Sequence, residues 1–170
     1  MKIIEKYRLN FNSFEEVLLF MQIFFLITIL PLLIELLTVT CLMKTLTPGT
    51  KNFNSELNRQ ELKNKIVKYT DYILSKNFWV YRGTCLNRSL TLYHFFRRLG
   101  IDIQICFGIR YKKNFYNTMG KQKIEGHAWL IHNGDFFLES NSEMTRTYKM
   151  TYCFPKDNEN NGKQRQYTRS

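Results

Sequence analysis

The stretch IDIQICFGIRY, Ile101 to Tyr111, alternates apolar and polar side chains along almost its whole length. Successive side chains of a β-strand point to opposite faces of a sheet, so this alternation predicts a strand with one buried face. The residues expected to face the core occupy every second position: Ile101, Ile103, Ile105, Phe107 and Ile109. The patterns on either side of this strand decide the fold class.

Two helices are predicted before this strand. The first begins at a capping box, Asn58 with Glu61 three residues later, and runs to about Ser75 with apolar residues at helical spacing. A short extended piece, Phe78–Tyr81, separates it from the second helix, Cys85–Leu99. The glycine that follows is expected to end this second helix in a left-handed conformation.

Antiparallel strands are predicted after it. The stretch EGHAWLIHNGDFFLE, Glu125–Glu139, predicts two strands that turn near Asn133–Gly134, and Tyr148–Phe154 predicts a last strand. A basic, exposed loop is expected at residues 112–122. Helices followed by antiparallel strands make an α+β domain.

An unusually apolar segment precedes this domain. VLLFMQIFFLITILPLLI, Val17–Ile34, has eighteen mostly apolar residues, the threshold length for a membrane span. Pro31 is expected to kink or break the helix. Two alternatives stay open: a helical hairpin buried against the protein or docked on a membrane or partner, and a true span. The predicted organisation is an apolar helical segment at 1–50, the domain at 51–154 and a disordered tail at 155–170.

The net charge of +11, from 25 basic and 14 acidic residues, favours an anionic partner such as nucleic acid, an acidic peptide or a membrane surface. Solvated lysines explain this charge equally well. No nucleic-acid-binding motif is recognisable, so no nucleic acid is expected as a partner.

The chain has four cysteines without a CxxC pair, Cys41, Cys85, Cys106 and Cys153. This spacing argues against a zinc site, and neither a metal nor a cofactor is expected. The apolar run starts too far along the chain for a secretory signal, so we expect a cytoplasmic location with free thiols.

Cys85 is the candidate nucleophile. It follows Thr84, a good N-cap, at a helix start where the dipole and free backbone N–H groups favour a thiolate. The alternative is a small buried apolar residue, the usual state of a free cysteine. His94 lies on the opposite helix face, about 13 Å along the axis, so the base has to be His127 or His132.

Two stretches of the sequence together resemble the lasso peptide leader peptidases, a family of transglutaminase-like, papain-like cysteine peptidases. They are CLNRSLTLYHFFRRLGIDIQICFGIR, from Cys85, and EGHAWLIHNGDFFLE, from Glu125. The shared motifs are a Cys-Leu-x-x-Ser-Leu helix start, a Gly-Ile pair before an alternating strand that ends in Gly-Ile, and a His-Ala-Trp strand. The resemblance covers about Phe78–Glu139, and the apolar amino-terminal segment is similar only in character.

The resemblance implies a papain/transglutaminase-like core in which the helix bearing the nucleophile packs on an antiparallel sheet. It also implies a triad that removes the leader of a ribosomally made precursor peptide before a partner lasso cyclase closes the core peptide. A leader-binding protein of the RRE type is the other implied partner. Carried over by position, Cys85 is the nucleophile, His127 the base, and Glu139 stands where the family has aspartate. That departure permits an alternative, a catalytically idle peptide-binding scaffold of the same fold.

The loop between Arg110 and His127 is longer than is usual in the family, and it bears on the substrate. Its basic residues either steer an acidic leader or form a solvated face: Arg110, Lys112, Lys113, Lys121 and Lys123. Association with a membrane surface also stays open.

The register of the two strands in Glu125–Glu139 decides whether the implied triad can form. A three-residue loop, His132–Gly134, pairs His127 directly with Glu139, whereas a two-residue turn pairs His132 with Asp135 and sends Glu139 to the opposite face. The longer loop also places Ala128, Leu130, Phe136 and Leu138 together on the core face. We therefore predict the three-residue loop, with His132 as a turn residue of no catalytic importance.

Overall fold

The computed structural model describes residues 13–49, 56–76, 85–116 and 122–156. The elements in these ranges are α1 (Phe14–Leu36), α2 (Val39–Leu46), α3 (Glu56–Ser75), α4 (Cys85–Arg98), β1 (Ile103–Tyr116), β2 (Gln122–His132), β3 (Asp135–Phe137), α5 (Ser142–Arg146) and β4 (Lys149–Phe154). The chain divides into two compact units, Met1–Ile101 and Asp102–Ser170. The first unit is helical and the second carries an antiparallel sheet, which confirms the α+β class.

In the helical unit, α1 starts at Ser13, whose hydroxyl accepts a hydrogen bond from the Glu16 N–H at 3.3 Å. Pro31 lies inside α1 and the helix continues to Leu36, so the expected break is absent. Proline removes one backbone hydrogen bond, but the turn before it is held by Ile27 and Leu30, both fully buried. Packing of the helix therefore outweighs the single lost bond.

α3 begins at Glu56, so Asn58 lies inside the helix and the predicted N-cap is wrong. Its end at Ser75 is as predicted, and the apolar residues expected to pack, Ile66, Tyr69 and Ile73, are buried. The extended piece predicted at 78–81 and the N-cap residue Thr84 lie outside the described residues.

The end of α4 confirms the role predicted for its glycine. Gly100 has a φ of +74°, its N–H donates to the carbonyl of Arg97, and the Ile101 N–H donates to the carbonyl of Phe96. This pair of hydrogen bonds is a Schellman motif, which needs a left-handed residue that glycine adopts without steric cost.

The sheet has the order β3-β2-β1-β4, and all its pairs are antiparallel. Ile103 and Ile105 are fully buried, as the alternation predicts, whereas Ile109 is exposed. β1 continues to Tyr116, and Tyr116 pairs with Gln122. The loop predicted at 112–122 is therefore mostly strand, because backbone pairing in a hairpin continues beyond the last buried side chain; residues 117–121 lie outside the described residues.

The turn between β2 and β3 corrects the predicted register. His132 pairs with Asp135 and Leu130 pairs with Phe137, so the loop has two residues and not three. Asn133 has a φ of 53° and Gly134 a φ of 87°. Two positive values are typical of a type I′ turn, whose twist matches that of the flanking strands and whose preferred sequence is Asn-Gly. His132 is thus the last residue of β2 and not a turn residue.

Two of the cysteines are joined. Cys106 on β1 and Cys153 on β4 are register partners, with Cα atoms 4.1 Å apart, and they form a disulfide. The expectation of free thiols is therefore wrong for this pair, because a sequence separation of 47 residues hides that the two strands are neighbours. Cys41 and Cys85 carry free thiols. The cytoplasmic location stays a prediction.

Candidate active site

His127 lies in the middle of β2, where its register partner on β1 is Gly108. Its Nε2 atom is 3.5 Å from Oε2 of Glu139 and 3.3 Å from Oγ1 of Thr145. The side chains of His127 and Glu139 are mostly buried, at 18% and 16% exposure. The predicted base and the predicted acidic residue are therefore in contact, although the register that led to this expectation is wrong.

Leu138 explains how Glu139 reaches the histidine. β3 ends at Phe137, and Leu138 has a φ of 55°, in the left-handed region. Side-chain alternation holds only while the backbone stays extended, so this single residue reverses the face on which Glu139 emerges. A bulky non-glycine residue seldom adopts such a φ, and residues held this way concentrate at functional sites.

Thr145 determines which nitrogen of His127 carries the proton. Its hydroxyl is 3.1 Å from the carbonyl oxygen of Asn141, which only accepts, so the single hydroxyl proton is directed there. Toward His127 the hydroxyl oxygen can then only accept, and Glu139 Oε2 also accepts. The hydrogen-bond partners thus assign the Nε2–H tautomer, which leaves the lone pair on Nδ1.

Nδ1 makes no hydrogen bond to any described residue of the sheet unit. An imidazole held at one nitrogen by a carboxylate, with no described residue of the sheet unit bonded to the other nitrogen, has the arrangement of a general base. The carboxylate also stabilises the imidazolium that forms when Nδ1 takes up a proton.

Two aromatic rings fix the plane of the imidazole. The ring of Trp129 lies nearly parallel to it at 5.8 Å, and the ring of Tyr148 lies at 5.0 Å. The indole passes over Gly108, where a Cβ atom would come within 2.7 Å of Trp129 Cη2. Gly108 is therefore required for its lack of a side chain, because any larger residue would displace the indole beside His127.

Arg110 supports Tyr148 from the other side. Its Nε and Nη2 atoms donate to Glu125 Oε2 at 3.0 and 2.9 Å, and its Nη1 donates to Thr147 at 3.0 Å. The guanidinium lies 4.5 Å from the centre of the Tyr148 ring. The carboxylate of Glu125 offsets its charge, so Arg110 is a structural residue and not a free cation for steering an acidic leader. Lys123 is exposed, and the side chains of Lys112, Lys113 and Lys121 lie outside the described residues.

Cys85 is the first residue of α4, in the helical unit, and its thiol is free and half-buried. Its backbone N–H belongs to the first turn, where amide groups lack partners within the helix. The half-exposed state weighs against the alternative of a buried apolar residue.

The other two histidines have structural partners. His94 Nδ1 is 3.0 Å from the carbonyl oxygen of Leu46 and so connects α4 to the end of α2. Burial lowers the pKa of His94 below its usual value. His132 Nδ1 is 2.8 Å from the carbonyl oxygen of Asp102, and the absence of a catalytic role for His132 stays a prediction.

Sequence reasoning missed Thr145, Tyr148 and the conformation of Leu138. Thr145 lies on α5, a helix of five residues that carries too little periodicity to be recognised. One signal was present: the Asn141 side chain accepts a hydrogen bond from the Met144 N–H, and asparagine before an acidic first turn is typical of a helix start. Asn141 is thus a capping residue.

Among the described residues, no group of histidine, cysteine, aspartate and glutamate side chains is placed to hold a metal ion. The parts present are a histidine held by a carboxylate, with an unoccupied ring nitrogen, and a free thiol at a helix start. These are the parts of a domain of the cysteine-protease type.

The chain belongs to the transglutaminase-like superfamily, whose family model matches residues 38–153. This superfamily includes cysteine peptidases, and its fold is typically a domain of the cysteine-protease type. The match covers Cys85, His127 and Glu139. Searches of curated proteins and of solved structures found no match.

Proposed function

We propose that this protein is a cysteine peptidase that removes the leader from a lasso-type precursor peptide before cyclisation. The observation that carries the proposal is the arrangement of His127, whose Nε2 is held by Glu139 and Thr145 and whose Nδ1 has no partner among the described residues of the sheet unit. Within a superfamily that includes cysteine peptidases, this state gives the histidine one evident task, the removal of a thiol proton.

Cys85 is the proposed source of that proton. Its Sγ transfers the proton to His127 Nδ1 and attacks the carbonyl carbon of the bond between leader and core peptide. The backbone N–H of Cys85 is a donor for the oxyanion that develops on the carbonyl oxygen. Glu139 keeps its negative charge throughout and stabilises the imidazolium.

The second half of the reaction releases the leader. The imidazolium gives its proton to the departing nitrogen, so the core peptide leaves with a free amine and the leader stays on Cys85 as a thioester. A water molecule then loses a proton to Nδ1 and attacks the thioester carbon. The products are the leader with a free carboxylate and the original thiol.

The lasso-type substrate is proposed from the motifs that this chain shares with the leader peptidases, the Cys85 helix start and the strand with His127, Ala128 and Trp129. The cyclase and the RRE-type leader-binding protein are proposed as partners on the same ground, and the proposed location is the cytoplasm. The substitution of glutamate for the family's aspartate does not weigh against activity, because the Glu139 carboxylate is within reach of Nε2.

Precursor cleavage tests this function. The genes that flank this one are first searched for a short precursor peptide and an RRE-type leader-binding protein; the full chain is then incubated with both, and products are identified by mass spectrometry. We expect two fragments from the unchanged chain and none from Cys85→Ala. Binding of the precursor without cleavage by the unchanged chain would favour the idle scaffold.

A further inference from the structure

One side of α1 is an exposed apolar stripe. We define the stripe by six residues: Phe14, Leu18, Met21, Phe25, Leu32 and Leu36. At about 100° per residue, these positions fall within roughly 60° of arc, so they form one continuous line along the helix. Phe25 is 68% exposed and Leu36 is 70% exposed, which is unusual for such large apolar side chains.

The opposite side of α1 is attached to the helical unit. Ile23, Ile27 and Leu30 lie about 180° from the stripe and are fully buried. Glu16 forms a salt bridge with Lys65 of α3, at 2.8 Å between Oε1 and Nζ. This carboxylate, by its hydrogen bond, raises the pKa of Lys65 above its usual range, so the lysine stays charged.

A second polar contact lies one and a half turns further on. Arg98 of α4 donates to the side-chain oxygen of Gln22 at 2.8 Å. α1 is long enough and apolar enough to cross a membrane, by length and composition only. Crossing a bilayer would nevertheless separate Glu16 and Gln22 from their partners, at the cost of exposing polar groups to hydrocarbon. These contacts favour a helix that lies along a surface.

We propose that the apolar stripe of α1 inserts into the surface of an anionic membrane, with the helix parallel to the plane of the bilayer. Residues 17–34 contain no charged side chain, so the middle of the stripe has apolar neighbours such as Val17 and Ile29 on its flanks, and the exposed carboxylates Glu15 and Glu35 lie only at its two ends. A protein interface has a polar rim with hydrogen bonds, which these flanks do not supply. The polar contacts of Glu16 and Gln22 are made with the helical unit, so the exposed side of the middle of α1 is left with apolar side chains that need an apolar medium.

Charge complementarity identifies the kind of membrane. The chain carries a net charge of +11, and its sequence places three basic residues, Lys2, Lys6 and Arg8, and one acidic residue, Glu5, just before α1. Lys44, in the last turn of α2, is exposed. Basic residues next to an apolar helix are attracted to anionic headgroups, and apolar burial together with this attraction sets how strongly such helices bind.

Flotation of the full chain with vesicles tests this proposal. The probes are vesicles of phosphatidylcholine alone and vesicles with about one third phosphatidylglycerol, a share high enough to give a strongly negative surface. We expect binding to the anionic vesicles, weaker binding to the neutral ones, and release by an alkaline carbonate wash. Absence of binding to both kinds, or retention after the wash as for a membrane-spanning helix, would overturn the proposal.

Charged substitutions on the stripe distinguish binding to lipid from binding to a second copy of the protein. Leu18→Glu and Phe25→Glu change exposed side chains, so circular dichroism should remain that of the unchanged chain. Each should lower vesicle binding at least tenfold, whereas the control Ile124→Glu, at an exposed position of the sheet unit, should not. Unchanged vesicle binding of Phe25→Glu would contradict the proposal. A dimer that forms without lipid and is lost in Phe25→Glu, with no vesicle binding, would assign the stripe to a second copy.

Discussion

The surroundings of His127 on the sheet and of His94 on α4 are chemically opposite. His94 directs Nδ1 to a backbone carbonyl and lies in a site whose burial lowers its pKa. His127 directs Nε2 to a carboxylate and a hydroxyl, and its Nδ1 has no hydrogen-bond partner among the described residues of the sheet unit. A carbonyl oxygen stabilises an imidazolium less than a carboxylate does, and at His94 the effect of burial outweighs it. The comparison teaches that His94 is held in a buried structural contact, whereas the carboxylate beside His127 suits that ring for the proposed role of base.

The largest expected effect comes from removing the reacting groups. Cys85→Ala removes the proposed nucleophile and His127→Ala the proposed base, so each should reduce precursor cleavage below detection while precursor binding persists. His132→Ala is the matched control, because His132 is the other histidine of β2 and its Nδ1 contacts the backbone carbonyl of Asp102. The cleavage rate of His132→Ala should stay within about threefold of that of the unchanged chain, a smaller change than the loss of one hydrogen bond in the active site would cause. Cleavage by His127→Ala at the unchanged rate would refute the role of the base.

Glu139→Gln should have the next largest effect. The amide cannot stabilise the imidazolium, but Thr145 still accepts from Nε2 and keeps the tautomer. We therefore expect kcat to fall by roughly 10²–10³, less than in a triad whose carboxylate alone holds the tautomer. Single-turnover cleavage measures the loss. Glu143→Gln, an exposed carboxylate of α5, is the control and should leave kcat unchanged.

Thr145→Val should have a smaller effect on the same site. It removes one hydrogen bond to Nε2 without changing the size of the side chain, so kcat should fall roughly three- to tenfold. Thr145→Ser restores the hydroxyl and should recover most of the rate; failure of serine to do so would mean that Thr145 acts through packing alone.

The smallest effect concerns stability and distinguishes His94 from His127. The unfolded chain takes up a proton at His94 near pH 6.5, and the folded chain does so only at lower pH because burial lowers the pKa. The unfolded state then binds more protons, so the free energy of unfolding falls as the pH drops below about 6.5. The slope should be smaller than roughly 1.4 kcal/mol per pH unit, the value for a difference of one whole bound proton. Urea unfolding at several pH values measures this slope.

His94→Asn keeps a side-chain N–H for the Leu46 carbonyl but cannot titrate. It should flatten the slope between neutral and mildly acidic pH while precursor cleavage persists. An unchanged slope would show that His94 does not contribute the acid sensitivity.

Most strands and helices could be predicted from local pattern, because alternation along Ile101–Tyr111 and the glycine after α4 each act within a few residues. The five-residue helix α5 could not, because it is too short to show a period. Contacts between distant residues could not. The Cys106–Cys153 disulfide depends on which strand lies beside β1, and sequence order does not contain that information. The approach of Glu139 to His127 depends on the positive φ of Leu138, and a leucine in the sequence gives no indication of such a backbone conformation. The site residues were thus named from a resemblance, while the geometry that joins two of them was mispredicted.

The reactivity of the two free thiols tests the central claim most directly, since Cys41 is an exposed internal reference within the same chain. The full chain is treated with limiting iodoacetamide near neutral pH, and the labelled positions are mapped by mass spectrometry. The account predicts that Cys85 reacts before Cys41, although Cys41 is more exposed, and that His127→Ala slows labelling of Cys85 without changing that of Cys41. Labelling of Cys41 first, with Cys85 indifferent to His127→Ala, would contradict it.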